Sequence, residues 1–277
     1  MRTILVVANE TLGGAKLLEL AKRKAEEGDV RFVVVVPRTT PRHGNVIYDD
    51  CVFDAAQIRI DLARGVLQQE GLTMIGEVGD PDPYSATMDA VGEHAPDEIV
   101  ISTLPATASG WLRRDLVERV QAASGLPVEH VVSDLDSEGL PFGVSLVVAN
   151  RTAASDRLLE VCRSRAEGDG RHLYICVVPQ EGGDGLSARK ARARLVQLKD
   201  RLRGEGLIAA GMVGDPDPYT AIMNAAQFFR LDDIIISTLP GSRSGWLRAD
   251  LVQRVQRATG KPVEHVEAES RAVQATV

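Results

Sequence analysis

No apolar run in this chain of 277 residues approaches the roughly 20 residues that a membrane-spanning helix requires. The N-terminal stretch "MRTILVVANE" turns polar too soon to read as a secretory leader. No membrane role is expected, and the chain is expected to stay in the cytoplasm. Cysteine is scarce too. Cys51, Cys162 and Cys176 are odd in number and lack metal-type spacing, so no disulfide framework is indicated. They suit a reducing compartment, and Cys176, inside the apolar run "YICVVP", reads as a small core residue. Excess positive charge is also missing. With 32 Lys and Arg against 39 Asp and Glu, the formal net charge is -7, which leaves no electrostatic footprint for nucleic acid. The basic stretch "ARKARARLVQLKDRLR" reads as the solvated face of a helix. Nor does any Ser-His-Asp, Cys-His, paired-carboxylate or HExxH arrangement emerge from the spacing. No catalytic residue is nominated, and the chain is not read as an enzyme.

What the chain has is a repeat. "ISTLPATASGWLRRDL", starting at Ile101, returns as "ISTLPGSRSGWLRADL" at Ile236. The offset of 135 residues (214 minus 79 for the aligned glycines) holds without a gap from Val78/Val213 to Val131/Val266, with about two-thirds of the pairs identical. Earlier in each half the match is weaker but keeps its order: "ILVVAN" answers "SLVVAN" at an offset of 141 (150 minus 9), and "FVVVVP" answers "YICVVP" at 142 (179 minus 37). The first half therefore carries about seven extra residues within "RTTPRHGNVIYDDCV". We read a duplicated domain: residues 1–133, a polar linker 134–143, and residues 144–277.

Within each half, Val- and Ile-rich runs such as "TILVVA" and "RFVVVV" are too continuous for a sheet with one wet face. They alternate with segments of helical spacing, such as Leu112, Leu116, Val120 and Ala123. That pattern predicts a parallel sheet with helices on both faces, five strands and four helices per half. In "GDPDPY", Asp82 and Asp217 are placed to cap the next helix, with Pro83 and Pro218 at its first position. Gly125 and Gly260 are placed to end the last helix. The "GDP" tripeptide is read as a strand-to-helix junction.

The order of these elements, with "GDPDPYSATMDAV", a strand leading into a Ser/Gly loop and a closing "PVEHVV", resembles the universal stress protein family in its tandem form. The resemblance covers both halves. It implies two Rossmann-like α/β domains, each a five-stranded parallel sheet of order 3-2-1-4-5, whose closing strands pair across a two-fold axis as an internal pseudo-dimer. Some members of that family bind ATP through a glycine-rich signature, G-x2-G-x9-G-[ST], after the fourth strand, with an Asp ending the first strand. This chain departs from that pattern. The signature glycines fall at Ser102 and Ser237 and near Pro105 and Pro240, and the final Gly-Ser pair falls on Arg114-Asp115 and Ala249-Asp250. Proline offers a phosphate neither a donor nor close backbone approach, and a carboxylate repels it. The first-strand Asp becomes Asn9 and Asn150. Ordinary ATP binding is not expected, and no cofactor is nominated beyond ATP or AMP as nucleotides to try.

In a sheet of that order the crevice opens beyond the first and fourth strands. Its expected lining is Asn9, Ser102 and Thr103, and in the second copy Asn150, Ser237 and Thr238. Ser109 and Ser244 are expected to cap the following helix. Arg113 and Arg248 are then expected at its first turn, where a cation costs about 0.3–1 kcal/mol against the helix dipole unless an anion is near. The bland reading is that each arginine pairs with a surface carboxylate. Arg243 and Gly241, present only in the second copy, make that half the expected better binder of a small anion or phosphorylated metabolite. Trp111 and Trp246 read as packing anchors. His130 and His265, beside Glu129 and Glu264, would form a metal site only if the closing strands met.

The functional expectation is a non-enzymatic stress-response or ligand-sensing module. A weak ATPase or nucleotidase using the same crevice, and a ligand-free interaction protein, stay open as alternatives. A further homodimer of whole chains also stays open. If the halves cover each other's closing strand, residues 1–137 expressed alone should dimerise or aggregate, because "PVEHV" would be left as an unpaired edge. Light scattering showing a folded, soluble monomer of that fragment would contradict the pairing.

Overall fold

Each apolar run becomes a parallel strand and each segment between two runs a crossover helix. The computed structural model describes residues 1–40, 49–106, 110–111, 115–169, 171–240 and 250–269. They separate into two units between Pro141 and Phe142. The first unit runs β1 (Arg2–Val7), α1 (Ala15–Glu26), β2 (Val30–Pro37), α2 (Asp49–Gln69), β3 (Met74–Gly79), α3 (Pro83–His94), β4 (Glu98–Thr103), α4 (Leu116–Ser124), β5 (Val128–Val132) and a single-turn α5 (Leu135–Glu138). The second runs β6 (Gly143–Val148), α6 (Asp156–Asp169), β7 (His172–Pro179), α7 (Gly185–Gly204), β8 (Ile208–Gly214), α8 (Pro218–Phe228), β9 (Asp233–Thr238), α9 (Leu251–Thr259) and β10 (Val263–Glu267). The sheet orders are β3-β2-β1-β4-β5 and β8-β7-β6-β9-β10, with all strands parallel. Both sheets have the expected 3-2-1-4-5 order. Among the described residues no helix is long and apolar enough to cross a membrane.

Strand residues alternate between two apolar layers. Ile4 and Val6 join Leu17, Leu20, Phe32 and Ile60 on one face of the first sheet. Leu5 and Val7 join Ala86, Ile99, Leu116 and Val120 on the other, where Trp111 packs as the expected anchor. In the second unit, Val147, Tyr174 and Cys176 meet Leu158, Cys162, Leu195 and Leu202. Each such aliphatic side chain contributes about 1.5–3 kcal/mol by leaving water. Burial pushes the Cys162 thiol up to about 12 and raises that of Cys176 as well. Neither is a thiolate at neutral pH, as a core role requires.

"GDPDPY" is a construction joint, built the same way twice. Asp80 and Asp215 accept a hydrogen bond from the backbone N–H two residues on, each at 2.8 Å. Asp82 caps α3 by accepting from Ser85 N at 3.1 Å, and Asp217 caps α8 by accepting from Thr220 N at 3.0 Å. Tyr84 and Tyr219 lie under the guanidinium groups of Arg119 and Arg254, at 4.1 and 4.3 Å, which ties this joint to α4 and α9. The glycine lets the helix sit on the strand: a β-carbon on Gly79 would stand 2.7 Å from that of Ala86, and one on Gly214 2.6 Å from that of Ala221.

Gly110 and Trp111 are turn residues and α4 begins at Leu116; Ser109, the expected cap, lies outside the described residues. Likewise α9 begins at Leu251, and Ser244 lies outside the described residues. The cause is Asp115 (φ 48°) and Asp250 (φ 53°), whose left-handed backbone cannot belong to a right-handed helix but is tolerated by aspartate. One expectation is corrected, that for "ARKARARLVQLKDRLR": α7 is not simply a solvated basic face, since Arg194 is buried and Arg203 donates to Ala209 O at 2.7 Å.

Gly79→Ala and Gly214→Ala should each destabilise by about 1–3 kcal/mol, the range for overpacking a close contact. Guanidinium denaturation measures this; a change within about 0.5 kcal/mol, as for an ordinary surface site, would contradict the close-packing role.

Candidate functional site

The register brings the crevice residues to one edge. Val7 pairs with Ile101 and Val148 with Ile236, so the segment after the first strand emerges beside the end of the fourth. Asn9 Nδ2 donates to Pro37 O at 2.8 Å and Asn150 Nδ2 to Pro179 O at 2.9 Å. This ties the first strand's exit to the second's. It also accounts for asparagine in this position, because an aspartate has no N–H for that carbonyl. Thr11 and Thr152 each donate to the carbonyl of the penultimate residue of the fourth strand, Ser102 or Ser237, at 3.1 Å.

The serine hydroxyls have no such role. Ser102 and Ser237 are each 1% exposed, and neither Oγ has a hydrogen-bond partner. Asn9 Oδ1 and Ser133 Oγ are also buried without partners. Ser133 belongs to an exchange between the units. Its Oγ lies 3.1 Å from where a β-carbon on Gly14 would stand, whereas the second unit has Ser155 in place of Gly14 and Ala268 in place of Ser133. There Ser155 Oγ accepts from Leu158 N at 3.4 Å. One hydroxyl is kept beside the first helix's start, moved from strand end to helix cap.

Thr103 and Thr238 are engaged. Each shares a hydrogen bond with a histidine on the closing strand, Thr103 with His130 Nε2 at 2.9 Å and Thr238 with His265 Nε2 at 2.8 Å. Loss of water lowers the His130 pKa below its ordinary value, opposed by Glu118. The neighbouring glutamates turn to the other face. Glu129 meets Arg23 at 2.9 Å and Lys24 at 3.0 Å, and Glu264 meets Arg165. Within either unit, then, His and Glu of "PVEHV" do not converge on a metal. A different group, Glu77, Glu93 and His94, has ligand atoms within 4.8 Å of one another, but its counterparts in the second unit are Met212, Phe228 and Phe229. Ser109, Arg113, Arg243, Ser244 and Arg248 lie outside the described residues.

An arginine on the second helix was not anticipated. Arg194, 9% exposed, donates to Asn150 Oδ1 and pairs with Glu181 at 3.1 Å. Its counterpart Arg59, also partly buried, has its pKa lowered to about 10 by loss of water, with Glu10 acting in the opposite sense. The signal was available: the 135-residue offset already links Arg59 to Arg194 (194 minus 59), inside helices that have otherwise diverged.

No protein-family model matches the chain, and no curated protein does. Among solved structures, a universal stress protein from Archaeoglobus fulgidus DSM 4304 is similar at 18% identity, over 97% of this chain and 97% of that one, with a TM-score of 0.37. A glycosyltransferase from Rickettsia africae ESF-5 is similar at 13% identity, over 99% of this chain and 82% of that one, with a TM-score of 0.28. At these scores neither likeness carries an argument about the chemistry of this chain.

The depressed His130 pKa sets a pH signature. The unfolded histidine takes up its proton near its ordinary value of about 6.5, before the folded one does. Stability from this group is therefore present above that pH and is lost as pH falls towards the lower folded value. The stability difference between wild type and His130→Gln should shrink on acidification through this window, measured by urea denaturation at a series of pH values. A difference that is flat or grows towards acid would contradict the assignment.

Proposed function

We propose that the chain is a universal-stress-type tandem protein of the cytoplasm, a non-enzymatic module that senses a small anion or phosphorylated metabolite at the crevice between the first and fourth strands. The observation that carries this reading is the pair of buried, unpartnered hydroxyls, Ser102 Oγ and Ser237 Oγ, repeated at equivalent positions. A buried polar group left unpaired costs about 1–3 kcal/mol, and a ligand oxygen is a partner that would recover it. Catalysis is no part of the proposal. The segment after each of these serines continues Thr-Leu-Pro, where a phosphate-binding loop would need backbone donors and glycine.

The test is a thermal-shift series with phosphate, sulfate, AMP, ADP and ATP at ionic strength matched with sodium chloride. A ligand at 100 times its dissociation constant adds about 2.7 kcal/mol. Ser102→Ala and Ser237→Ala should leave the ligand-free melting point unchanged or raised, since each removes an unsatisfied hydroxyl, while reducing the ligand-induced shift. No shift with any anion, or a shift untouched by both substitutions, would favour a ligand-free interaction protein. Steady phosphate release from ATP, abolished by either substitution, would favour the nucleotidase alternative.

A further inference from the structure

A second polar cluster lies on the other flank of the second unit's edge, between the ends of β6 and β7 and the helix α7. Glu181, three-quarters buried in its side chain, accepts from Arg151 Nε at 2.6 Å and meets Arg194 at 3.1 Å, both through the same carboxylate oxygen. Arg194 also donates to Asn150 Oδ1, and its Nε is buried with no acceptor. Two guanidinium cations thus share one carboxylate oxygen, and a donor is left over. One negative charge cannot balance two positive ones, and a carboxylate offers fewer acceptor directions than a tetrahedral dianion.

The first unit shows which part of this cluster is added. Aligned through the repeat, Asn150 answers to Asn9, Arg194 to Arg59, Arg151 to Glu10 and Glu181 to Thr39. Thr39 Oγ1 donates back to Pro37 O at 3.4 Å, and Asn9 Oδ1 has no partner. The frame of asparagine and arginine is common to both units; the carboxylate and its second arginine belong to the second alone. Glu181 stands in the short connection after β7, followed by Gly182 and Gly183, so its side chain can leave without disturbing strand pairing.

We propose that Arg151, Arg194 and Asn150 form a small-oxyanion site whose resident occupant is the chain's own Glu181, so that free phosphate enters only when that carboxylate gives way. The site stands independently of the β6–β9 crevice: the two share Asn150, but Ser237 belongs only to the crevice. The experiment is isothermal titration of the full chain with inorganic phosphate against a chloride-matched blank, for wild type, Glu181→Gln, Glu181→Ala and the double variant Glu181→Ala with Arg151→Ala. The expected result is at least tenfold tighter phosphate binding, one ion per chain, in both single variants than at this site in wild type. The gain should be lost in the double variant and kept when Ser237→Ala is added instead. Glu181→Ala is included because a glutamine can keep a bond to arginine, and a circular-dichroism melt of each variant establishes folding. Folded single variants that bind phosphate no tighter than wild type, or a gain that survives Arg151→Ala, would overturn the proposal.

Discussion

A parallel strand covered on both faces has to be apolar at nearly every position, and the runs Leu5 to Val7 and Ile234 to Ile236 meet that demand. The cover comes from crossover helices, which carry the chain back so that each strand points the same way. All the carboxyl ends of a sheet therefore emerge on one edge. There the covering layers stop, and polar side chains can meet without being sealed in apolar packing. In the second unit Asn150, after the first strand, and Arg194, of the second helix, meet at that edge, and Asn9 holds the place of Asn150 in the first.

The same constraint separates what is shared between the units from what has diverged. The joint made by "GDPDPY" is kept in both because close packing at Gly79 and Gly214, and the caps at Asp82 and Asp217, leave little freedom. The tie from asparagine to a proline carbonyl is kept as well. Divergence sits around that frame. The hydroxyl is Ser133 in the first unit and Ser155 in the second, Glu10 stands opposite Arg151, and Thr39 opposite Glu181. The first unit leaves Asn9 Oδ1 unmatched, whereas the second binds the equivalent oxygen to Arg194.

Fold was legible because it is written in patterns of many residues. Strand runs, the caps of α3 and α8, and the Gly125 and Gly260 helix ends (φ 65° each) followed from local chemistry. The start of α4 at Leu116 was not legible, because a left-handed aspartate looks like any other until its backbone is seen. The site was read by halves. Asn9, Ser102 and their copies lie at the edge, whereas Thr103 and Thr238 are engaged by histidines 27 residues further along the chain. Arg194 was hidden in a run of basic residues whose common reading is a wet helix face, and only its burial distinguishes it.

One frame carries two different edges, with an unpartnered serine hydroxyl in each unit and a carboxylate seated between two arginines in the second alone. A crystal structure of the wild-type chain grown with sulfate tests it most directly. The account predicts anion density against Ser102 Oγ or Ser237 Oγ, with Glu181 still between Arg151 and Arg194. No anion density at either hydroxyl, or both serine hydroxyls satisfied by the protein itself, would contradict it.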